Sequence, residues 1–299
     1  MPPILTRRTV LVGAALFSPV LFGMPGVARS QEDDDIDNRL KALEQKTGGR
    51  LGVSVLDTAT NISLDYRETE RFPLLSSFKA LASACILARI DQNEDALARR
   101  ILFSKDDLVD YSPVTEKFAG AKGMTIAALC EAAITLSDNT AGNLLLQQIG
   151  GPEGLTAWLR SIGDSVTRLD RIEPHLNEAL KGDARDTTTP QQMRDTLNLL
   201  LGRDSTALSV SARQQLLDWL AASKTGDARL RAGLPKDKDI IIGEKTGTNS
   251  AGAACDAGLI WPAGKSPLFV SVYIAEANLP AKELNPVFAE VGRMIAELL

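Results

Sequence analysis

After residue 30 the apolar positions fall into successive regimes. In QEDDDIDNRLKALEQKTGGR the leucine spacing predicts an amphipathic first helix. LGVSVLDTATNISLDY then predicts two strands around an Ala-Thr-Asn turn. From Ser76 to about Ala222 the pattern is helical. FKALASACILARI, MTIAALCEAAITL, AGNLLLQQI, GLTAWLRSI, PQQMRDTLNLLL and SARQQLLDWLAAS each predict a helix. From Asp239 the runs become short, β-branched and bounded by turns, in DIIIGEKTGT, AGLIWPAG and LFVSVYIAEA. ELNPVFAEVGRMIAELL closes the chain as a helix.

Strands at both ends with helices between them predict a discontinuous layout. The expected fold is α+β: an antiparallel five-stranded sheet flanked by helices, plus an all-helical lobe, with the active site between them. Residues 31–75 and 223–299 are expected to build the α/β lobe, and residues 76–222 the helical one. A cleft between lobes is where a small-molecule site is expected.

Residues 1–30 stand apart. Arg7 and Arg8 precede an apolar run that ends in small residues, which reads as a twin-arginine export signal. Ser18, Pro19, Gly23 and Pro25 interrupt the run and argue against a spanning helix. Removing this segment takes three arginines and no acidic residue, so the formal net charge moves from −5 to −8. That balance, without a basic stripe, disfavours nucleic acid as a partner. The mature chain is expected to be periplasmic, free of the membrane and monomeric. Cys85, Cys130 and Cys255 are far apart, and His175 is the only histidine. This set makes no ordinary zinc site, so no metal or other cofactor is expected, and the thiols read as buried small hydrophobes.

The single histidine also limits the chemistry. It lies in a charged loop, and no G-x-S-x-G elbow occurs, so a lysine-activated nucleophile is the better candidate. LLSSFKALASACILA supplies one. Ser76 and Lys79 are three apart at a helix start, hence on one face. The helix is apolar nearly all round, so Lys79 is buried and pushed towards its neutral, proton-accepting form. A serine cap beside a snorkelling lysine would give the same pair. Ser137-Asp138-Asn139 precedes TAGNLLLQQI. All three types cap helices, but Ser137 can also relay a proton and Asn139 can bind a substrate amide. Lys-Thr-Gly occurs twice. Lys224-Thr225-Gly226 reads as a turn after a helix. Lys245-Thr246-Gly247 lies on a strand, where backbone, cation and hydroxyl can line a cleft together, and is the copy chosen.

Ser76-x-x-Lys79, Ser137-Asp138-Asn139 and Lys245-Thr246-Gly247, in this order, resemble the class A β-lactamases among the serine penicillin-recognising enzymes. The resemblance extends through RFPLLSSFKALA, DLVDYSPVTEKF, GDSVTRLDRIEPHLNEA, DARDTTTP and GEKTGT, nearly the whole mature chain. It implies hydrolysis of the β-lactam amide of penicillins and cephalosporins through a Ser76 acyl-enzyme. Lys79, Ser137 and Lys245 would serve proton transfer and binding. Glu173 and Asn177 would hold the hydrolytic water in an Ω loop over about 168–186, with an Arg171–Asp186 pair at its neck. Backbone N–H groups of Ser76 and Thr248 would form the oxyanion hole. Asn139, Thr246, Gly247, Thr248, Arg231 and Tyr111 would contact substrate. Arg231 is chosen because some members place the carboxylate-binding arginine upstream of Lys-Thr-Gly, and AGAACDAGLI after it has none.

The sequence also departs from the family. Leu75 and Asn249 occupy the positions of a cysteine pair found in a carbapenem-hydrolysing subgroup. Ser83 stands where some members have a partner for Cys130, and Ile172 where many have tryptophan. Two other functions share the serine chemistry: a D-Ala-D-Ala carboxypeptidase or penicillin-binding protein, and a β-lactam sensor that stays acylated. Glu173 and Asn177 argue against both, because they provide for deacylation.

Overall fold

The computed structural model describes residues 31–120, 122–236 and 239–299. The twin-arginine segment lies outside the described residues. Helix α1 (Gln31–Thr47) is followed by strands β1 (Arg50–Asp57), β2 (Ile62–Tyr66) and the short β3 (Phe72–Pro73). A 3-10 turn, Leu75–Ser77, leads into α2 (Phe78–Asp91). Short strands β4 (Arg100–Ile101) and β5 (Met124–Thr125) pair with each other. Helices α3 (Ile126–Thr135), α4 (Asn139–Gln148) and α5 (Gly151–Ser161) follow. After a long loop come β6 (Thr187–Thr188), α6 (Pro190–Leu201), α7 (Val210–Ala221) and α8 (Leu230–Gly233). Strands β7 (Ile240–Thr248), β8 (Ala254–Pro262) and β9 (Leu268–Ala275) and helix α9 (Ala281–Ala296) complete the chain.

The five long strands form one antiparallel sheet in the order β2-β1-β9-β8-β7. The N-terminal hairpin therefore joins the C-terminal strands through β1 and β9. β8 and β9 are buried along almost their whole length, as expected for strands covered on both faces. One face packs on α1, α8 and α9, through Leu40, Leu43, Leu230, Val287, Phe288 and Met294. The other face shares a core with the middle helices, through Phe269, Tyr273, Leu81, Leu129 and Leu217. α6 also packs on this second face, where Ser271 Oγ donates to Pro190 O at 2.5 Å.

Local chemistry sets the helix starts near the cleft. Thr125, Asp138, Thr189 and Ser209 each accept a backbone N–H at an N-terminus, each cap contributing about 0.5–2 kcal/mol. α2 has no polar face, and Phe78 through Ala88 are all buried. It forms the axis of the helical region, and its N-terminus faces β7. Edge strand β7 thus lies beside the α2 start, which sets the place of the site.

Candidate active site

Ser76 sits in the 3-10 turn just before α2, so Lys79, the second residue of the helix, lies one turn further on and on the same face. Lys79 is fully buried, and its Nζ is 3.0 Å from Ser76 Oγ. It also donates to Ser137 O at 2.8 Å and Asn139 Oδ1 at 2.6 Å, and lies 3.4 Å from Ser137 Oγ. Glu173 Oε1 stands 3.1 Å from Lys79 Nζ and 3.4 Å from Ser76 Oγ. Burial pushes the Lys79 ammonium below its ordinary range, and the Glu173 charge opposes that shift.

The Ser137-Asp138-Asn139 turn divides its work. Asp138 is buried and structural: it takes Ala141 N and Thr115 Oγ1 on one oxygen, and Val114 N and Thr115 N on the other. This ties the 114–115 loop to the start of α4. Ser137 has a φ of 59°, uncommon for a side-chain-bearing residue, and its hydroxyl accepts from Lys245 Nζ at 3.0 Å. Ser137 Oγ therefore lies between two lysine Nζ atoms. Lys245 is buried, which pushes it down to about 7, with Lys79 adding a like charge. Asn139 spends one Nδ2–H on Asp110 O at 2.8 Å.

β7 reaches the nucleophile because of Gly247. A Cβ there would come 2.8 Å from Ser76 N and 2.6 Å from Leu75 Cβ, so only glycine permits the approach. Leu75 itself has a φ of 49°.

Glu173 lies on the loop between α5 and β6 and joins Pro174 through a cis peptide bond. Its Oε2 accepts from Asn177 Nδ2 at 2.5 Å. Asn177 Oδ1 is buried and accepts no hydrogen bond from the protein. Asn143 clamps the Glu173 backbone, taking its N–H at 2.9 Å and donating to its carbonyl at 3.0 Å. At the loop's neck Asp186 is buried and accepts from Arg171 Nε at 2.6 Å and from the backbone N–H groups of Asp170 and Arg171. Arg171 also pairs with Glu178. His175 is exposed and makes no part of this arrangement.

Against known proteins, residues 35–299 match the model of the β-lactamase enzyme family. β-Lactamase CTX-M-8 of Citrobacter amalonaticus is 40% identical over 97% of this chain and 97% of its own. The carbapenem-hydrolysing β-lactamase KPC of Klebsiella oxytoca is 45% identical over 85% and 86%. Among solved structures, an ancestral class A β-lactamase (GNCA) is 59% identical, with a TM-score of 0.85 over 88% of this chain and 100% of that one. The chain belongs to the class A β-lactamases.

The remaining walls of this β-lactamase correct one expectation. Arg231 does not face the cleft groups: its Nε pairs with Glu244 Oε1 at 2.9 Å and its guanidinium also reaches Ile242 O. Arg229, two residues earlier, is the arginine that reaches Thr248. Its NH2 donates to Thr248 Oγ1 at 2.5 Å, and its NH1 to Gly247 O at 3.0 Å and Cys255 O at 2.5 Å. The physical reason is chain direction: α8 starts between the two arginines, and Arg231 turns with the helix onto Glu244. The first Lys-Thr-Gly copy lies in a bend after α7, and its Thr225 Oγ1 lies 2.6 Å from Thr246 Oγ1 and so borders the site. Tyr111 stands at the rim, 60% exposed, with its carbonyl held by Asn139 N at 3.0 Å. Asn249, beyond Thr248, donates to Asn177 O at 2.9 Å. Cys85, Cys130 and Cys255 are free and buried. Among the described residues no cluster of His, Cys, Asp and Glu is arranged to hold a metal ion.

Proposed function

We propose that this β-lactamase opens the amide of penicillins and cephalosporins by attack of Ser76 Oγ on the ring carbonyl. The proton leaving Ser76 has two acceptors within reach, Lys79 Nζ at 3.0 Å and Glu173 Oε1 at 3.4 Å. The C–N bond of the ring breaks, and the nitrogen takes its proton from Ser137 Oγ, which the two lysines can resupply. The Ser76 and Thr248 backbone N–H groups stabilise the oxyanion. The substrate carboxylate sits against Lys245, Thr246, Thr248 and Arg229, with Asn139 and Tyr111 flanking the rest of the substrate.

Deacylation then distinguishes a β-lactamase from a protein that stays acylated. Glu173 takes a proton from water, and Asn177 Oδ1 orients that water; the hydroxide adds to the ester and Ser76 leaves with the proton. The observation that carries this reading is the buried Glu173 carboxylate next to Ser76 and Asn177. Nothing in this chemistry needs a second chain, so the enzyme acts as a monomer, with residues 31–75 and 223–299 forming one wall and 76–222 the other. Export through residues 1–30 would put it in the periplasm, where it would protect its host from β-lactam antibiotics. Among the described residues no helix is long and apolar enough to cross a membrane.

Turnover of a chromogenic cephalosporin tests the reading. Many turnovers per enzyme, unchanged by EDTA, are expected. One stoichiometric burst followed by silence would contradict it.

A further inference from the structure

Two buried carboxyl groups lie behind the substrate-carboxylate wall, and the mechanism above uses neither. Glu244 on β7 is 1% exposed, and Asp256 on β8 is 0% exposed. In the strand register Glu244 lies opposite Gly258 and Asp256 opposite Thr246, so the two acids are diagonal neighbours on one face of the sheet. Each has one satisfied oxygen. Glu244 Oε1 takes Arg231 Nε, and Asp256 Oδ2 takes Leu230 N at 3.3 Å. Each also has one buried oxygen that receives no donor, Glu244 Oε2 and Asp256 Oδ1. The β7–β8 register makes these carboxyls neighbours, and each acts on the other's hold on its proton. Gly226 seals the place: a Cβ there would lie 2.1 Å from Glu244 Oε1.

Two ionised carboxylates cannot be held in contact in a dry place without a counter-charge between them. One proton removes the conflict and turns both orphan acceptors into one hydrogen bond. The neighbours leave room for one negative charge. Arg231 offsets it through Glu244. Arg229 is buried, and its hydrogen bonds go to neutral atoms alone: Gly247 O, Cys255 O, Thr248 Oγ1 and Asn285 Oδ1.

We propose that Glu244 Oε2 and Asp256 Oδ1 share one proton, so that the pair holds a single negative charge and acts as a positioning pair that leaves the charge of Arg229 available to the substrate carboxylate. Loss of the shared proton would give the pair a second negative charge and draw the field of Arg229 away from the cleft. Burial pushes both carboxyls above their ordinary values, Asp256 well above. The other charged or titratable groups that act on the pair are Asp227, Cys255 and Tyr273. Asp227 is largely exposed, and burial raises the other two, so none competes for the proton at neutral pH. α9 brings only the neutral Asn285 and the Phe288 ring to Arg229.

Infrared spectra of the whole enzyme in heavy water at neutral pH test the shared proton. A protonated-carboxyl band is expected in the parent and absent from both Asp256→Asn and Glu244→Gln. No such band in the parent, or one that survives in both variants, would overturn the sharing. This measurement is independent of what the site binds. The positioning role rests on the reading of the site given above, and kinetics with a carboxylate-bearing cephalosporin test it. Asp256→Asn keeps one negative charge, so its KM at neutral pH should match that of the parent. As pH rises the parent's KM should climb more than that of Asp256→Asn, and Glu244→Gln gives the same comparison if the first variant folds poorly. Identical pH profiles in parent and variants would overturn the role. Arg229→Ala is the control, with KM raised about tenfold or more. An unchanged KM there would count against the site reading and leave the shared proton standing.

Discussion

Lys79 Nζ lies 3.1 Å from Glu173 Oε1, with both side chains fully buried. A buried pair of this kind is a weak source of stability, because desolvation offsets most of the attraction. In the proposed mechanism its use is chemical. Burial pushes Lys79 down, while its hydrogen bonds to Ser137 O and Asn139 Oδ1 hold the amine against Ser76. Lys79→Ala removes that proton acceptor, and kcat/KM for a penicillin should fall about 10²–10⁴-fold. Stopped-flow acylation measures it. A variant that acylates at the parent rate would assign the proton transfer to Glu173 alone.

Asn143 should matter as much as a residue that touches substrate. Among the described residues it alone holds both the N–H and the carbonyl of Glu173. Asn143→Ala leaves two buried backbone groups unpaired, each at about 1–3 kcal/mol, and lets the carboxylate drift. The expected result is a fall in kcat with slow clearance of the acyl-enzyme and little change in acylation. Equal losses in both steps would show a general loss of structure instead.

Arg229 and Arg231 should separate cleanly. Arg229→Ala should raise KM for carboxylate-bearing substrates about tenfold or more. Arg231→Ala should raise KM far less than Arg229→Ala does and lower the unfolding midpoint, since Glu244 loses its ion pair at a cost of about 1–3 kcal/mol. Steady-state kinetics and thermal melts of the two variants decide it. The opposite pattern would restore Arg231 to the site.

Lys245 gives the pH dependence a sign. Burial holds its ammonium down at about 7, so the charge proposed to receive the substrate carboxylate is lost as pH rises through that value. In the free enzyme kcat/KM should therefore decline above about 7. A bound carboxylate favours the charged form, so kcat should decline at higher pH than kcat/KM does. Lys245→Arg, which does not titrate in this range, should flatten the alkaline limb. A limb that persists unchanged would belong to another group.

Much of this architecture is visible in the amino-acid pattern because the signals are strong and local. The apolar run from Phe78 to Ala88 can only be a buried helix, and a lysine inside it demands a partner. The strands show themselves by β-branched runs and turns. What is hidden depends on chain direction and on contacts between distant segments. Nothing local separates Arg229 from Arg231: the helix begins between them and sends one to Thr248 and the other to Glu244. Thr225 reads as part of a surface turn because its partner, Thr246, arrives on another strand. Asn143 did leave a signal. It is four residues after Asn139 in the same helix, hence on the same face as the site. The pairing of Glu244 with Asp256 depends on the β7–β8 register, which no short motif encodes.

Deacylation is proposed to rest on Glu173, and mass spectrometry of Glu173→Gln after exposure to a penicillin reads that role out. The glutamine keeps the shape and the contact to Asn177 but cannot accept the proton of the hydrolytic water. A penicilloyl adduct on Ser76 is expected to persist long after the parent has cleared the drug. A variant that returns to free enzyme at the parent's rate would contradict it.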